Sequence, residues 1–296
     1  GSGGERREQI AQADDVAVSV EIRGGWDTCS SATPNGMTVL DGSGGQARSV
    51  LALRGDGNFT LRDLEITGGD QAGDDDGGGI HFQGGGILHI IDSSITGNSA
   101  DEGGGLYAHG TTQLAEVILE DTSVSFNTAR NHGGGAVAQE LEMTVRGVGS
   151  ALVFNTAGGS GGGLLVRSGG RVSYVYLTGG AFGVQGNTAA RGGGIAVHTG
   201  PEALDAELQV YSVDGNPVLI AGNTATERGG GIDVNPYYDV DLIGFPGSET
   251  TARAKLRNVD IQDNLAPVGA AINLAHADWG PFGAEAMGGG LYLNVT

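Results

Sequence analysis

Three residues of this chain have the types and spacing to move a proton: His81, Tyr107 and His109. Histidine titrates nearest neutral pH, and a tyrosine beside it can pass a proton on, the two halves of general acid–base catalysis. Near a carboxylate such as Asp76, that set is an acid–base arrangement of the kind that a hydrolysis or a β-elimination would use. Hydrolysis, however, calls for a carboxylate pair across the scissile bond, and elimination for a base with a cation to hold the developing charge. The hydrolase motifs Asn-Thr-Asp and Gly-His-Gly are absent, the nearest piece being Ala108-His109-Gly110. Arg167, Arg171 and Arg191 are scattered, and Lys255 is the one lysine. No catalytic residue is assigned; His81, Tyr107 and His109 are the set that an activity would use.

Two other groups could bind. Asp70, Asp74, Asp75 and Asp76 bring four carboxylates close together, a weak candidate for Ca²⁺. A solvated acidic turn accounts for them better, because no D-x-D-x-D spacing supplies alternate ligands. Otherwise no cofactor is expected. Tyr237, Tyr238 and Phe245 are a large share of the rings in a chain that is only 5% aromatic. Displayed on a loop, they form the first candidate contact surface, with His81 and Tyr107 as a smaller platform for a sugar.

These residues must be positioned by something, and a repeat supplies it. Asn98, Asn127, Asn155, Asn187, Asn223 and Asn264 recur at separations of 29, 28, 32, 36 and 41. Three positions before each stands Ile95, Val124, Leu152, Val184, Ile220 or Ile261. Five or six positions after each begins a glycine triplet, at Gly103, Gly133, Gly161, Gly192 and Gly229, with a remnant at Gly269. Triplets at Gly77 and Gly288 extend the series. Each triplet is followed by apolar-any-apolar, from Ile80 and Phe82 through Leu164 and Val166 to Leu291 and Leu293, the period-2 pattern of a short strand with one buried face. A second alternating run follows, and no coil contains a run with helical periodicity.

One such strand cannot bury its own apolar face; stacked coils can, at the ~4.8 Å strand spacing. The expected fold is therefore all-β: one domain over 1–296, a right-handed parallel β-helix of roughly eight coils. Residues 1–17 form a lead-in with a short capping helix at Glu5, and insertions are expected at 199–217 and 235–255. The six Asn are expected to form a structural ladder of amides from coil to coil, and to accept left-handed backbone at the corner. The glycines serve sharp bends and close backbone approach. The slot between the two apolar strand residues (His81, Tyr107, Val137, Leu165, Ala196, Asp233, Asn273 and Tyr292) is expected to form one open face.

Composition limits the partners. The 296 residues include 58 glycines, and 35 acidic against 15 basic side chains leave a net charge of −20. Such a surface repels nucleic acid and anionic lipid. The single cysteine, Cys29, cannot form an internal bridge. A membrane role is expected only through an anchor outside this sequence, and the chain is expected to be a monomer.

The Gly-Gly-aliphatic phrase paired with aliphatic-x-x-Asn resembles the repeat of polymorphic outer membrane proteins and autotransporter passengers. The lead-in "VEIRGGWDTCSSATPNGMTVLDGSGG" followed by "FTLRDLEITGG" is similar to the start of many secreted bacterial β-helix proteins. The residue three before each Asn is Ile, Val or Leu, never Phe, which favours the broader class. The resemblance implies a secreted or surface-displayed protein, often adhesive. The leading expectation is a non-enzymatic β-helix that contacts a protein or carbohydrate ligand at a cell surface. The alternatives are a β-helix polysaccharide lyase or hydrolase and a structural spacer of a larger surface protein.

Overall fold

The computed structural model describes residues 19–26, 34–44, 48–70, 76–112, 115–169, 173–178, 183–199, 205–212, 216–235, 252–274 and 290–294. Within them the chain is an all-β parallel solenoid, every strand pairing in parallel with its counterpart in the next coil. Each coil runs through up to four walls. A strand after the glycine triplet (the glycine wall, 8 strands) leads into a longer strand (the long wall, 9 strands). A short strand before the Asn follows (the corner wall, 8 strands), and then one after it (the short wall, 5 strands).

The short wall accounts for the main difference from expectation. Complete turns with all four walls number about five, where roughly eight coils were expected. Counting every triplet as a coil overlooked that the strand after the Asn forms only in the central coils, from Ser99–Glu102 to Thr224–Arg228. The final triplet also misleads, since Gly290–Asn294 pairs with Ala252–Arg257 in the long wall and does not extend the glycine wall. Two expected insertions contain regular structure too. Ala206–Tyr211 and Ala252–Arg257 are long-wall strands whose own period-2 alternation (AELQVY, ARAKLR) was absorbed into the apparent insertions. The capping helix at Glu5 lies outside the described residues.

Inside the tube, register stacks like on like. Leu88, Val117, Met143, Val175, Leu208 and Ala254 form one row through successive long-wall strands, all fully buried in a single core. Burial of each of the five larger side chains contributes about 1.5–3 kcal/mol, and no strand could gain this without its neighbours.

At the corner the Asn residues form the expected ladder. Asn127 donates both its backbone N–H and its Nδ2 to Asn155 Oδ1, at 3.0 and 3.1 Å. Its Nδ2 also donates to the Ile95 carbonyl at 2.9 Å. The same three bonds recur at Asn98, Asn155, Asn187 and Asn223. The left-handed residue is not the Asn but the one before it, Gly97, Phe126, Phe154, Gly186, Gly222 or Asp263. Turning the chain one residue earlier keeps the Asn itself out of left-handed backbone while its amide bonds from coil to coil. A second left-handed corner carries Asp63, Asp92, Asp121 and Asn258, residues whose short polar side chains tolerate that geometry.

The triplet has three separate reasons, clear at 133–135. Gly133 has φ 64° and makes the bend. A Cβ on Gly134 would lie 2.5 Å from the carbonyl oxygens of both Thr156 and Gly162. One on Gly135 would meet the Asn155 amide at 2.9 Å.

Candidate functional site

The triplet turn presents the outer side of the glycine wall to the strand that has just ended. Side chains at the ends of the short-wall strands fold over this side. The slot expected to be open is therefore closed in its middle: Val137, Leu165 and Ala196 are fully buried and Tyr107 is 8% exposed, forming a second small core outside the tube, while His81 and Asn273 are only partly buried. Asp233, in the same row, is also fully buried.

Tyr107 and His81 are register partners on adjacent strands, as expected, with ring centroids 5.4 Å apart and tilted by 44°. His81 Nδ1 donates to the Asp76 carbonyl oxygen at 2.9 Å. The Tyr107 hydroxyl donates to Gln139 at 3.2 Å. His109 is not brought into this pair; it faces Glu140 across 3.6 Å.

Sequence reasoning missed the residues that close the seam. Glu102, at the end of a short-wall strand, receives Arg167 in a bidentate pair at 2.9 and 2.6 Å. Arg167 also donates to Gln139. His132, the register partner of Glu102, accepts the Ser160 N–H on Nδ1 at 3.0 Å. Further along, Asp233 accepts from Arg228 at 3.1 Å and from Asn273 at 2.6 Å, with the fully buried His198 at 3.5 Å. The available signal was the charged residue or histidine closing four of the five short-wall strands (Glu102, His132, Arg191, Arg228), directly before the triplet.

Burial sets the electrostatics. Asp76 is pushed up to about 6, first by burial and then by Glu102. Tyr107 is pushed up to about 12, chiefly by burial. His132 is pushed down to about 4 by burial, against the pull of Glu102. His198 is lowered for the same reason, while hydrogen bonds from its partners hold Asp233 down against its burial.

Asp76 and His132 then act on stability in opposite senses. A carboxyl raised from 3.8 to about 6 favours the folded state in its protonated form, so its contribution is lost as pH rises through that window. A histidine lowered from 6.5 to about 4 contributes stability that is lost as pH falls through its own window. In the native protein the two slopes offset each other. Asp76→Asn is expected to make urea midpoints fall more steeply on acidification, and His132→Gln to make them rise. Parallel pH profiles for all three proteins would contradict these assignments.

Of the four candidate Ca²⁺ ligands, Asp70 and Asp76 are described; Asp74 and Asp75 lie outside the described residues. Asp70 is exposed, in isolated bridges to Arg48 and Ser99, and Asp76 faces Glu102. Among the described residues, no group of three or more His, Cys, Asp or Glu is placed to hold a metal. Tyr237, Tyr238 and Phe245 lie outside the described residues as well.

Two exposed aromatic groups went unpredicted. The outward residues of the long-wall strand Ser173–Thr178 are Tyr174 and Tyr176, and Tyr211 ends the next strand beside Thr178. Tyr174 is 36% exposed. The alternation in SYVYLT carries the signal, though only the register brings Tyr211 alongside. At the corner, Phe126 and Phe154 stack at 5.2 Å and 19° while remaining 63% and 54% exposed. Both have left-handed backbone, a conformation that costs a bulky residue of order 1–3 kcal/mol and that glycine supplies in three other coils.

No candidate span for crossing a membrane as a helix occurs among the described residues. No protein-family model, no curated protein and no solved structure matches this chain.

Proposed function

We propose that this protein is a non-enzymatic β-solenoid, secreted or displayed on a bacterial outer surface in the manner of autotransporter passengers, whose walls contact a protein or carbohydrate ligand. The observation that carries this reading is the filled outer side of the glycine wall. Its aliphatic floor is buried, and Tyr107, Gln139, Arg167 and Glu102 are committed to one another, so that among the described residues the wall beside Tyr107 is filled by its own side chains. Among the described residues, exposed rings stand elsewhere: Trp26 after the first long-wall strand, Phe126 and Phe154 at the corner, and Tyr174 on the long wall. Tyrosine there offers rigid contact area with a polar tip, the side chain most favoured at interfaces.

The test is incubation with neutral and acidic polysaccharides, with and without Ca²⁺, following binding and new chain ends together. The expected result is no new chain ends, with any binding weakened about tenfold or more by a Tyr174→Ser/Tyr176→Ser variant, on the scale of an interface hot spot. One observation favours the alternative of a polysaccharide-cleaving enzyme: a carboxyl titrating near 6, Asp76, beside a second carboxylate, Glu102. Chain cleavage abolished by Asp76→Asn would establish that reading in place of ours.

A further inference from the structure

The long wall carries a pair of charges that have no counter-charge among the described residues. Glu116 and Glu142 are register partners on adjacent parallel strands, so they stand side by side at the ~4.8 Å strand spacing. Like charges so placed repel and destabilise the sheet. Glu142 is accordingly shifted upward, by partial burial and by Glu116. The wall's other inner carboxylates are answered: Glu120 by Arg146 at 2.6 Å and His89 at 3.0 Å, and Glu207 by Lys255 at 2.8 Å. Neither Glu116 nor Glu142 makes an ion pair among the described residues. In the next strand the same rows continue as tyrosines, Tyr174 after Glu142 and Tyr176 after Thr144.

We infer that Glu116, Glu142, Tyr174 and Tyr176 form a docking site for a cationic partner, a lysine- or arginine-rich segment of another protein. This rests on the long wall being a contact surface, and it names the chemistry of what is contacted. An ammonium or guanidinium seated here relieves the carboxylate repulsion, and it meets the ring faces of the tyrosines, to which cations are attracted. A neutral sugar gains only the second of these, and an anionic ligand meets repulsion from the pair. A net charge of −20 acts in the same direction at long range, steering cations toward the surface before contact. The carboxylate pair weakens the sheet and serves no interaction within the described fold, so a partner that neutralises it accounts for both facts.

The test is titration of the protein with a labelled oligolysine peptide, read by fluorescence anisotropy at low and near-physiological salt. The wild-type protein is expected to bind it. Glu116→Gln/Glu142→Gln should weaken binding about tenfold, while melting at or above the wild-type temperature because a repulsion has been removed. Glu65→Gln/Asp260→Asn removes the same two charges from the corner wall and is expected to weaken binding less than about twofold, through screened long-range attraction alone. Absence of wild-type binding, or equal weakening by the two charge variants, overturns the proposal. If only Tyr174→Ser/Tyr176→Ser weakens binding, the cationic site is wrong while the contact wall stands. If no long-wall variant weakens it beyond the corner-wall control, both are wrong.

Discussion

Asn155→Ala is expected to cause the largest loss of stability of any single side-chain truncation outside the core, at least about 3 kcal/mol. Asn155 is fully buried. Its Oδ1 accepts from the backbone and the amide of Asn127; its Nδ2 donates to the Val124 carbonyl and to Asn187 Oδ1. Alanine would leave four groups, in the coils on either side, short of a partner at a fully buried position. Each buried group left unpaired costs about 1–3 kcal/mol. The loss also interrupts coupling between the two halves of a one-dimensional array, in which each coil is held mainly by its neighbours. The check is a urea titration followed by far-UV circular dichroism, with amide exchange along the corner. We expect a lower midpoint and faster exchange at 124–128 and 185–188, with the end coils less affected. An unchanged midpoint would show that the ladder is incidental to stability. Because long arrays need not unfold in one step, the position of the exchange change matters as much as the shift in midpoint.

The second large effect is expected from Gly134→Ala, at about 3 kcal/mol. The added methyl carbon would lie 2.5 Å from two carbonyl oxygens of the next coil, and neither is the free end of a side chain that could swing away. Relief requires parting the coils, which breaks the backbone bonds running from Gly134 to Gly161 and from Gly135 to Gly162, both 3.0 Å. Overpacking in a well-packed interior typically costs about 1–3 kcal/mol, and backbone on both sides places this case at the upper end. Gly44→Ala is the control: nothing lies within 4 Å of its added carbon, so the change should be within about 0.5 kcal/mol. Equal midpoints for the two variants would mean that the middle glycine is tolerated for reasons other than close backbone approach.

These two positions also mark what was legible in the sequence. The Asn and the triplet recur through the central coils, so each chemical requirement is written several times over; that redundancy identifies a solenoid, its core rows and its ladder. The number of complete turns was harder to read, because the short wall rests on pieces such as Thr156–Ala157, too brief to show a period. The apparent insertions misled for a related reason: their strands are regular, but they lie between segments of irregular length.

By itself, then, the sequence determined what repetition and local geometry can determine: an all-β parallel solenoid, its inward rows, the buried amide ladder and the need for glycine before each new coil. Only the tertiary structure decided which outward residues meet solvent. His81, Tyr107, Val137 and Leu165 occupy the outward slot of a strand, and nothing local to them says that Glu102, His132 and Arg167 close over it. Burial there depends on a turn that folds one wall's end across the next, and on ion pairs such as Glu102–Arg167, 65 positions apart. The grouping of Glu116, Glu142, Tyr174 and Tyr176 has the same origin. Register between strands offset by 26 and 32 residues places them together, and register is set by the buried rows on the opposite side of the sheet. The chemistry of the long wall's outer face therefore follows from packing within the tube, and no local pattern in the sequence records it.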